Sequence, residues 1–291
     1  TVVESGIVTE AGDHYAVARP MAPLAIPTSL HASLLARLDR LAPTREVAQI
    51  GAALGRSFSF ELIGAVAGMP QQNLDEALEQ LAKAELIFRR GTPPDAEYTF
   101  KHALVQDAAY STLLRNRRQQ LHARIAETLE SKFPEIATTQ PQRMAQHCAE
   151  AGLNEKAVGY WLKAGQHSVA RSEMLEAVAQ LQNGLNLLAS QPEGHSRAQR
   201  ELDLRIALGG ALMATRGFAA QAVGENYAHA RPLADLLDRP DYLVPVLYGN
   251  CQWHAFRAEW SAALPPAKRL AQIGKAHNDE RAQLLGANSQ G

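Results

Sequence analysis

A mainly α-helical fold is predicted by three features of this sequence. Apolar residues recur every three to four positions over most of its length, aromatic residues make up only 6% of it, and alanine and leucine dominate the apolar set. Small apolar side chains let helices approach closely, so this composition favours helix packed on helix and argues against an all-β chain. At 291 residues, 46% of them hydrophobic, the chain is long enough for two domains, or for one domain followed by a repeat array.

Along the chain, apolar and polar residues alternate on each side of Glu10-Ala11-Gly12-Asp13, which predicts a small β-hairpin. A strap containing Pro20, Pro23 and Pro27 follows, so residues 1–27 read as the tail of a preceding domain. Thr28 or Ser29 caps a helix whose apolar face is Leu30, Leu34, Leu38 and Leu41, and Pro43 ends it. Three short helices are expected next: 45–54 with Val47, Ile50 and Leu54 inward, 59–67 with Phe60, Ile63 and Val66, and 71–84 with Leu74, Leu78 and Leu81. Residues 86–90 and 97–101 read as strands around the turn-rich Gly91-Thr92-Pro93-Pro94-Asp95. Three helices and a hairpin make a winged-helix-like module. With two further helices, 103–114 (Leu104, Ala108, Leu113) and 117–133 (Leu121, Ile125, Leu129, Phe133), it occupies 28–134.

From Pro141 onward the pattern is helical throughout, broken at Ala151-Gly152, Arg171-Ser172, Gln191-Pro192-Glu193-Gly194, Arg216-Gly217, Arg239-Pro240 and Arg257-Ala258-Glu259. Paired helices in series predict an α-solenoid over 141–291. Ala145, Ala157 and Ala164, twelve and seven residues apart, place small residues where helices touch, and Trp161 fills the large slot four residues after Ala157. That spacing is tetratricopeptide-like. Ala177 with Leu181, Leu208-Gly209 with Leu212, and Tyr248-Gly249 keep fragments of it, at a period above the usual ~34 residues. The last residues follow directly on a helical pattern, and the first are Thr1-Val2-Val3-Glu4, so a fragment of a longer protein is expected at both ends.

Charge and cysteine content narrow the classes of function. Lys and Arg (29) nearly balance Asp and Glu (30), which offers no general attraction to nucleic acid or to an anionic membrane. Apolar runs such as residues 62–69 fall far short of the ~20 residues of a membrane span. Only Cys148 and Cys251 are present, which is no disulfide framework and suits a reducing, cytoplasmic setting. The third helix, where a winged helix would meet DNA, carries Asp75, Glu76, Glu79 and the flanking Glu85 against Lys83 alone. Such a surface repels phosphate, so DNA is not an expected partner. The competing reading is a transcription regulator of the large ATPase-activator type, and salt-sensitive DNA binding would favour it.

No catalytic constellation is recognisable. Gly51-Ala52-Ala53-Leu54-Gly55-Arg56-Ser57 has too few residues between its glycines for a phosphate loop, Arg where that loop has Lys, and a helix rather than a strand in front. His147 and Cys148 are adjacent on a helix and point about 100° apart, so they do not jointly hold a metal. No enzyme activity, metal or cofactor is therefore expected of this chain itself. Basic residues gather at Arg89, Arg90 and Lys101 on the hairpin, and at Arg115, Arg117, Arg118 and Arg124. The latter four are candidates for an acidic or phosphate-bearing partner, or else a solvated helix face. Trp161, Trp253, Trp260, Tyr160, Tyr227 and Tyr248 have core-like spacing, and some are candidates to line the concave groove where helical arrays bind effectors.

Phe100-Lys101-His102-Ala103-Leu104-Val105-Gln106-Asp107-Ala108-Ala109-Tyr110, followed by Arg117-Arg118 and Leu121-His122-x-x-Ile125-Ala126-x-x-Leu129-Glu130, resembles the end of the winged-helix region in signal-transduction ATPases with numerous domains. Together with Ile26-Pro27-x-Ser29-Leu30-x-x-Ser33-Leu34-x-x-Arg37-Leu38-Asp39 and Gly51-x-x-x-Gly55-x-x-Phe58, it looks most like proteins in which a class III adenylate/guanylate cyclase domain precedes an ATPase domain and a tetratricopeptide region. The resemblance implies that residues 1–27 end an ATPase or lid region, and that ATP or ADP belongs to the parent protein. It also implies that the chain's partners are the ATPase and cyclase domains of that protein and an effector on the solenoid. In related nucleotide-switch proteins of immunity, a Met-His-Asp motif at this junction places its histidine near bound ADP. His102 corresponds to that histidine, with Lys101 and Ala103 beside it. The plainer alternative is a histidine closing local hydrogen bonds at a helix start.

Overall fold

Val47, Ile50 and Leu54 form one face of a helix, and all three are almost fully buried in the computed structural model, which describes residues 8–11, 14–17 and 44–288. The chain divides into two compact units after Leu114. In the first, strands β1 (Val8–Ala11) and β2 (His14–Val17) pair antiparallel with Ala11 opposite His14, as the alternation predicts. The helix and proline strap expected before Pro43 lie outside the described residues.

Helix α1 (Arg45–Leu54) begins after Thr44, whose buried hydroxyl donates to Gln80 Oε1 at 2.7 Å. Helix α2 (Phe60–Ala67) is capped by Ser59, whose Oγ accepts the Leu62 amide at 3.1 Å, and Gly68 closes it in the left-handed conformation. Helix α3 spans Gln71–Lys83 and is followed by β4 (Ile87–Arg90) and β5 (Glu97–Phe100). The hairpin gains a third strand absent from the sequence expectation, β3 (Ser57–Ser59), giving the antiparallel order β3-β5-β4. A three-residue strand with a single apolar residue leaves too little alternation to be read in advance. That residue, Phe58, stacks on Tyr98 at 5.9 Å between centroids and lies flush on Gly51, where an added Cβ would come within 2.7 Å of its ring. Gly51 thus belongs to a close helix–strand contact and Gly55, at φ 133°, to a helix terminus.

Helix α4 (Ala103–Ser111) buries Val105, Ala108 and Ala109, while Leu104 and Leu113, expected inward, are only half-buried. The small pair Ala108 and Ala109 meets α1 instead. Polar side chains fasten that contact: Gln106 donates to the Ala52 carbonyl at 3.1 Å and Gln49 to Thr112 Oγ1 at 2.7 Å.

The second unit opens with α5 (Arg115–Lys132), which packs on α7 (Pro141–Glu150) across the short α6 (Pro134–Thr139). The sequence grouped 115–132 with the first module; its buried stripe of Leu121, Ile125 and Leu129 serves the repeats. Then come α8 (Asn154–Ala170), α9 (Met174–Leu188), α10 (His195–Arg216), α11 (Gln221–Leu237), α12 (Pro240–Phe256), α13 (Trp260–Ala276) and α14 (Glu280–Asn288). Each helix packs on the next. Ala145, Ala157 and Ala164 are buried to within 1%, as small residues at helix crossings must be. Farther along, glycine does the same: the Tyr227 ring lies against both Gly209 and Gly249, leaving no room for a Cβ at either. The result is mainly α, a small sheet-bearing module followed by a tetratricopeptide-like α-solenoid.

Candidate functional site

In a helical array every helix must bury the face it turns to its neighbours, so the faces left over are free for ligands. Besides packing on their neighbours in sequence, α8, α10, α12 and α14 also touch one another in succession. The alternate set, α7, α9, α11 and α13, makes no comparable contact among the described residues. Helices that crowd together in this way form the inner row of a curved stack.

A furrow of about 580 Å³ crosses three helices of that row. Leu162 and Gln166 of α8, Asp203, Ile206 and Ala207 of α10, and Asp241 and Tyr242 of α12 line it, with Arg239 at the α12 N-cap. Leu162, Ile206 and Ala207 make the apolar floor, all half-buried. Asp203 and Tyr242 stand together on its wall, close enough for each to act on the other's ionisation. Burial raises the Asp203 pKa above the usual carboxylate range, against the lowering pull of Tyr242 and Arg239. Burial also raises the Tyr242 pKa. Arg239 is already engaged, with Nη2 2.8 Å from Asp241 Oδ2 and its guanidinium 5.2 Å from the Tyr242 ring centroid.

The four arginines singled out by sequence fall on two faces of α5. Arg115 and Arg118 line a hollow of about 430 Å³ with Gln119, Ala149 and Glu150. Arg117 and Arg124, seven residues apart, are exposed on the other side of the helix. The four therefore do not form one basic patch. His102 is exposed at the start of α4, in the first unit; its carbonyl accepts the Val105 and Gln106 amides, and its side chain makes no cap hydrogen bond.

Below the arginine hollow lies a pair that the sequence did not announce. His122 of α5 and His147 of α7, each 5% exposed, approach with Nδ1 to Nδ1 at 2.9 Å. Burial pushes both pKa values down, His147 to about 3. Cys148 is fully buried, and burial lifts its thiol to about 11. Among the described residues, no group of three or more His, Cys, Asp or Glu side chains is placed to hold a metal ion.

Of the aromatic residues expected to pack, Trp161 and Tyr227 are buried and Trp253 is half-buried, with Nε1 donating to the Ala220 carbonyl at 3.0 Å. Trp260 departs from that expectation and is 66% exposed, because it sits at the first position of α13, where the neighbouring turn leaves it open. Tyr242, not one of the aromatic residues picked out by spacing, is the one in the furrow. A stripe in the sequence does mark the site: Gln199, Asp203, Ile206, Ala207 and Gly210 follow one another on a single face of α10, flanked by the buried Leu202 on one side and Leu204 and Leu208 on the other.

No protein-family profile matches the chain. It is 30% identical over 202 residues to an uncharacterized protein of Rhizobium meliloti (strain 1021); the match covers 69% of this chain and only 20% of that protein. Among solved structures it is similar to a Signal Transduction ATPase with Numerous Domains protein with a tetratricopeptide repeat sensor from Pyrococcus horikoshii. That likeness has 12% identity and a TM-score of 0.35, over 91% of this chain and 43% of the other. Among the described residues no helix is long and apolar enough to cross a membrane.

Proposed function

We propose that this chain is the regulatory, non-catalytic part of a multidomain signalling ATPase. The repeats receive an effector, and the first unit, read as a winged helix, couples that event to an ATPase core elsewhere in the same cytoplasmic protein. A nucleotide cyclase domain is the output. The observation that carries this reading is the furrow on the inner row, whose half-buried floor of Leu162, Ile206 and Ala207 packs on the core of the stack and still opens beside Asp203 and Asp241. The resemblance of residues 100–110 and 117–130 to such ATPases supports the coupling role. ATP or ADP is then the ligand of the core, and His102, exposed at its helix start, is available to a diphosphate. DNA is disfavoured because Glu76 and Glu79 are exposed along α3.

Two measurements test this. Sequencing the gene upstream of the Thr1 codon is expected to find a Walker-type loop and, before it, a cyclase domain; a start codon at Thr1 would remove the ATPase from the scheme. In the full-length protein, Arg117→Glu with Arg124→Glu, the exposed pair on one side of α5, is expected to shift nucleotide exchange by the ~5- to 150-fold that typical coupling energies allow. Unchanged exchange and output would make that side of α5 merely solvated.

A further inference from the structure

We propose that the furrow on the inner row takes an extended peptide segment that presents a basic side chain beside apolar ones, with the Asp203 carboxylate as partner of the cation. The proposal rests on the reading of the inner row as the effector surface and names the chemistry of what it binds.

Three observations lead there. The first is charge. Two carboxylates, Asp203 and Asp241, meet one base, and Arg239 is already held by Asp241 and by the face of Tyr242. Asp203 is the under-compensated group: it is half-buried, Arg239 is bonded to Asp241 and acts on it through charge alone, and burial works against its ionised form. A lysine or arginine side chain entering the furrow supplies the missing charge, whereas an acidic segment meets repulsion.

The second is shape. The furrow crosses three helices, and packed helices lie ~8–10 Å apart, so its length matches about six residues of extended chain. The apolar floor of Leu162, Ile206 and Ala207 accepts the side chains that flank the basic one, and the stem of a lysine or arginine is itself apolar. The third is access. Gly210, one turn beyond Ile206, is exposed and has no atom within 4 Å of where a Cβ would stand, so a peptide backbone passes close to α10.

The test uses the 291-residue chain and a fluorescein-labelled seven-residue peptide with lysine between two leucines, followed by anisotropy. A second peptide carries Nε-acetyl-lysine in the central position. The lysine peptide is expected to bind, and acetylation or Asp203→Asn to weaken it about tenfold each, as loss of a partly buried charge pair does. Ala207→Trp, which fills the furrow, should abolish binding of both peptides, with circular dichroism confirming that each variant keeps its helix content. Equal binding of the two peptides, or indifference to Asp203→Asn, overturns the cation chemistry; if Ala207→Trp still abolishes binding, the effector surface stands. Binding that ignores Ala207→Trp sinks the surface as well. Failure of the lysine peptide to bind at millimolar concentration overturns the proposal.

Discussion

Acidification should destabilise the second unit through the His122–His147 pair, at pH values where few carboxylates have yet titrated. A 2.9 Å contact between two Nδ1 atoms requires complementary tautomers, one ring carrying its proton on Nδ1 and the other on Nε2. Protonating both rings sets two N–H groups against each other in a site where each histidine is 5% exposed. Burial is the main force holding both pKa values down; Arg118 adds to it at His122, with Glu150 opposing, and Arg143 and the partner ring add to it at His147. Because the folded values lie below the unfolded value of 6.5, the unfolded chain binds more protons. The stabilisation is thus complete above pH 6.5 and lost as pH falls. For His147 alone, with a folded pKa of about 3, linkage gives a loss of about 2 kcal/mol between pH 7.5 and pH 5. Urea unfolding followed by tryptophan fluorescence measures it, since Trp161 packs beside Ala145 on α7. The double variant His122→Leu with His147→Met removes both partners and leaves neither unpaired, and its stability should fall far less over the same interval. If the wild type and the double variant lose stability equally between pH 7.5 and 5, the pair does not carry the pH dependence and the reasoning fails.

Two further outcomes follow from burial. Cys148 and Cys251 are both buried with thiols lifted to about 11, so neither should react with a disulfide reagent at pH 8 until denaturant is added, and fast labelling of the native chain would contradict their placement. Gly249→Ala should destabilise by ~1–3 kcal/mol because the new methyl meets the Tyr227 ring, whereas Gly210→Ala, in open space on a helix, should stabilise by up to ~1 kcal/mol; thermal melts that show the same sign for both would refute the close-approach argument.

Much of the architecture was legible because it depends on periodicity. The stripe of Leu121, Ile125, Leu129 and Phe133 and the breaks at Gly152 and Gly217 each act locally, and each is found where expected. What was not legible depends on pairing across distance. Strand β3 exists because Phe58 meets Tyr98, forty residues on, and α6 is too short to show a period. His122 and His147 occupy core positions that are polar, which one sequence read alone presents as two unrelated exceptions. The four arginines of α5 looked like one patch in sequence; two of them lie a turn apart on the face toward α7, and the other two lie on the opposite side. The furrow was hidden because its residues come from three helices, and only α10 supplies enough of them to leave a stripe.

That division between local and distant features bears on how the array would respond to a ligand. In a stack where each helix contacts its neighbours, stability is close to a sum of neighbour terms, and a change at one place decays quickly along the chain. The inner row departs from this, because α8 and α12 each touch α10 and all three line one furrow. A ligand lying across it ties Leu162 of α8 to Asp203 of α10 and Tyr242 of α12, adding a term that spans four consecutive inter-helix contacts. Its binding energy then appears as stabilisation of the whole segment from α8 to α12, growing with ligand concentration by mass action. Amide exchange separates this from purely local docking. Protection rising together across Asn154–Phe256 marks a ligand that bridges the row, and protection confined to one helix marks a ligand held by that helix alone.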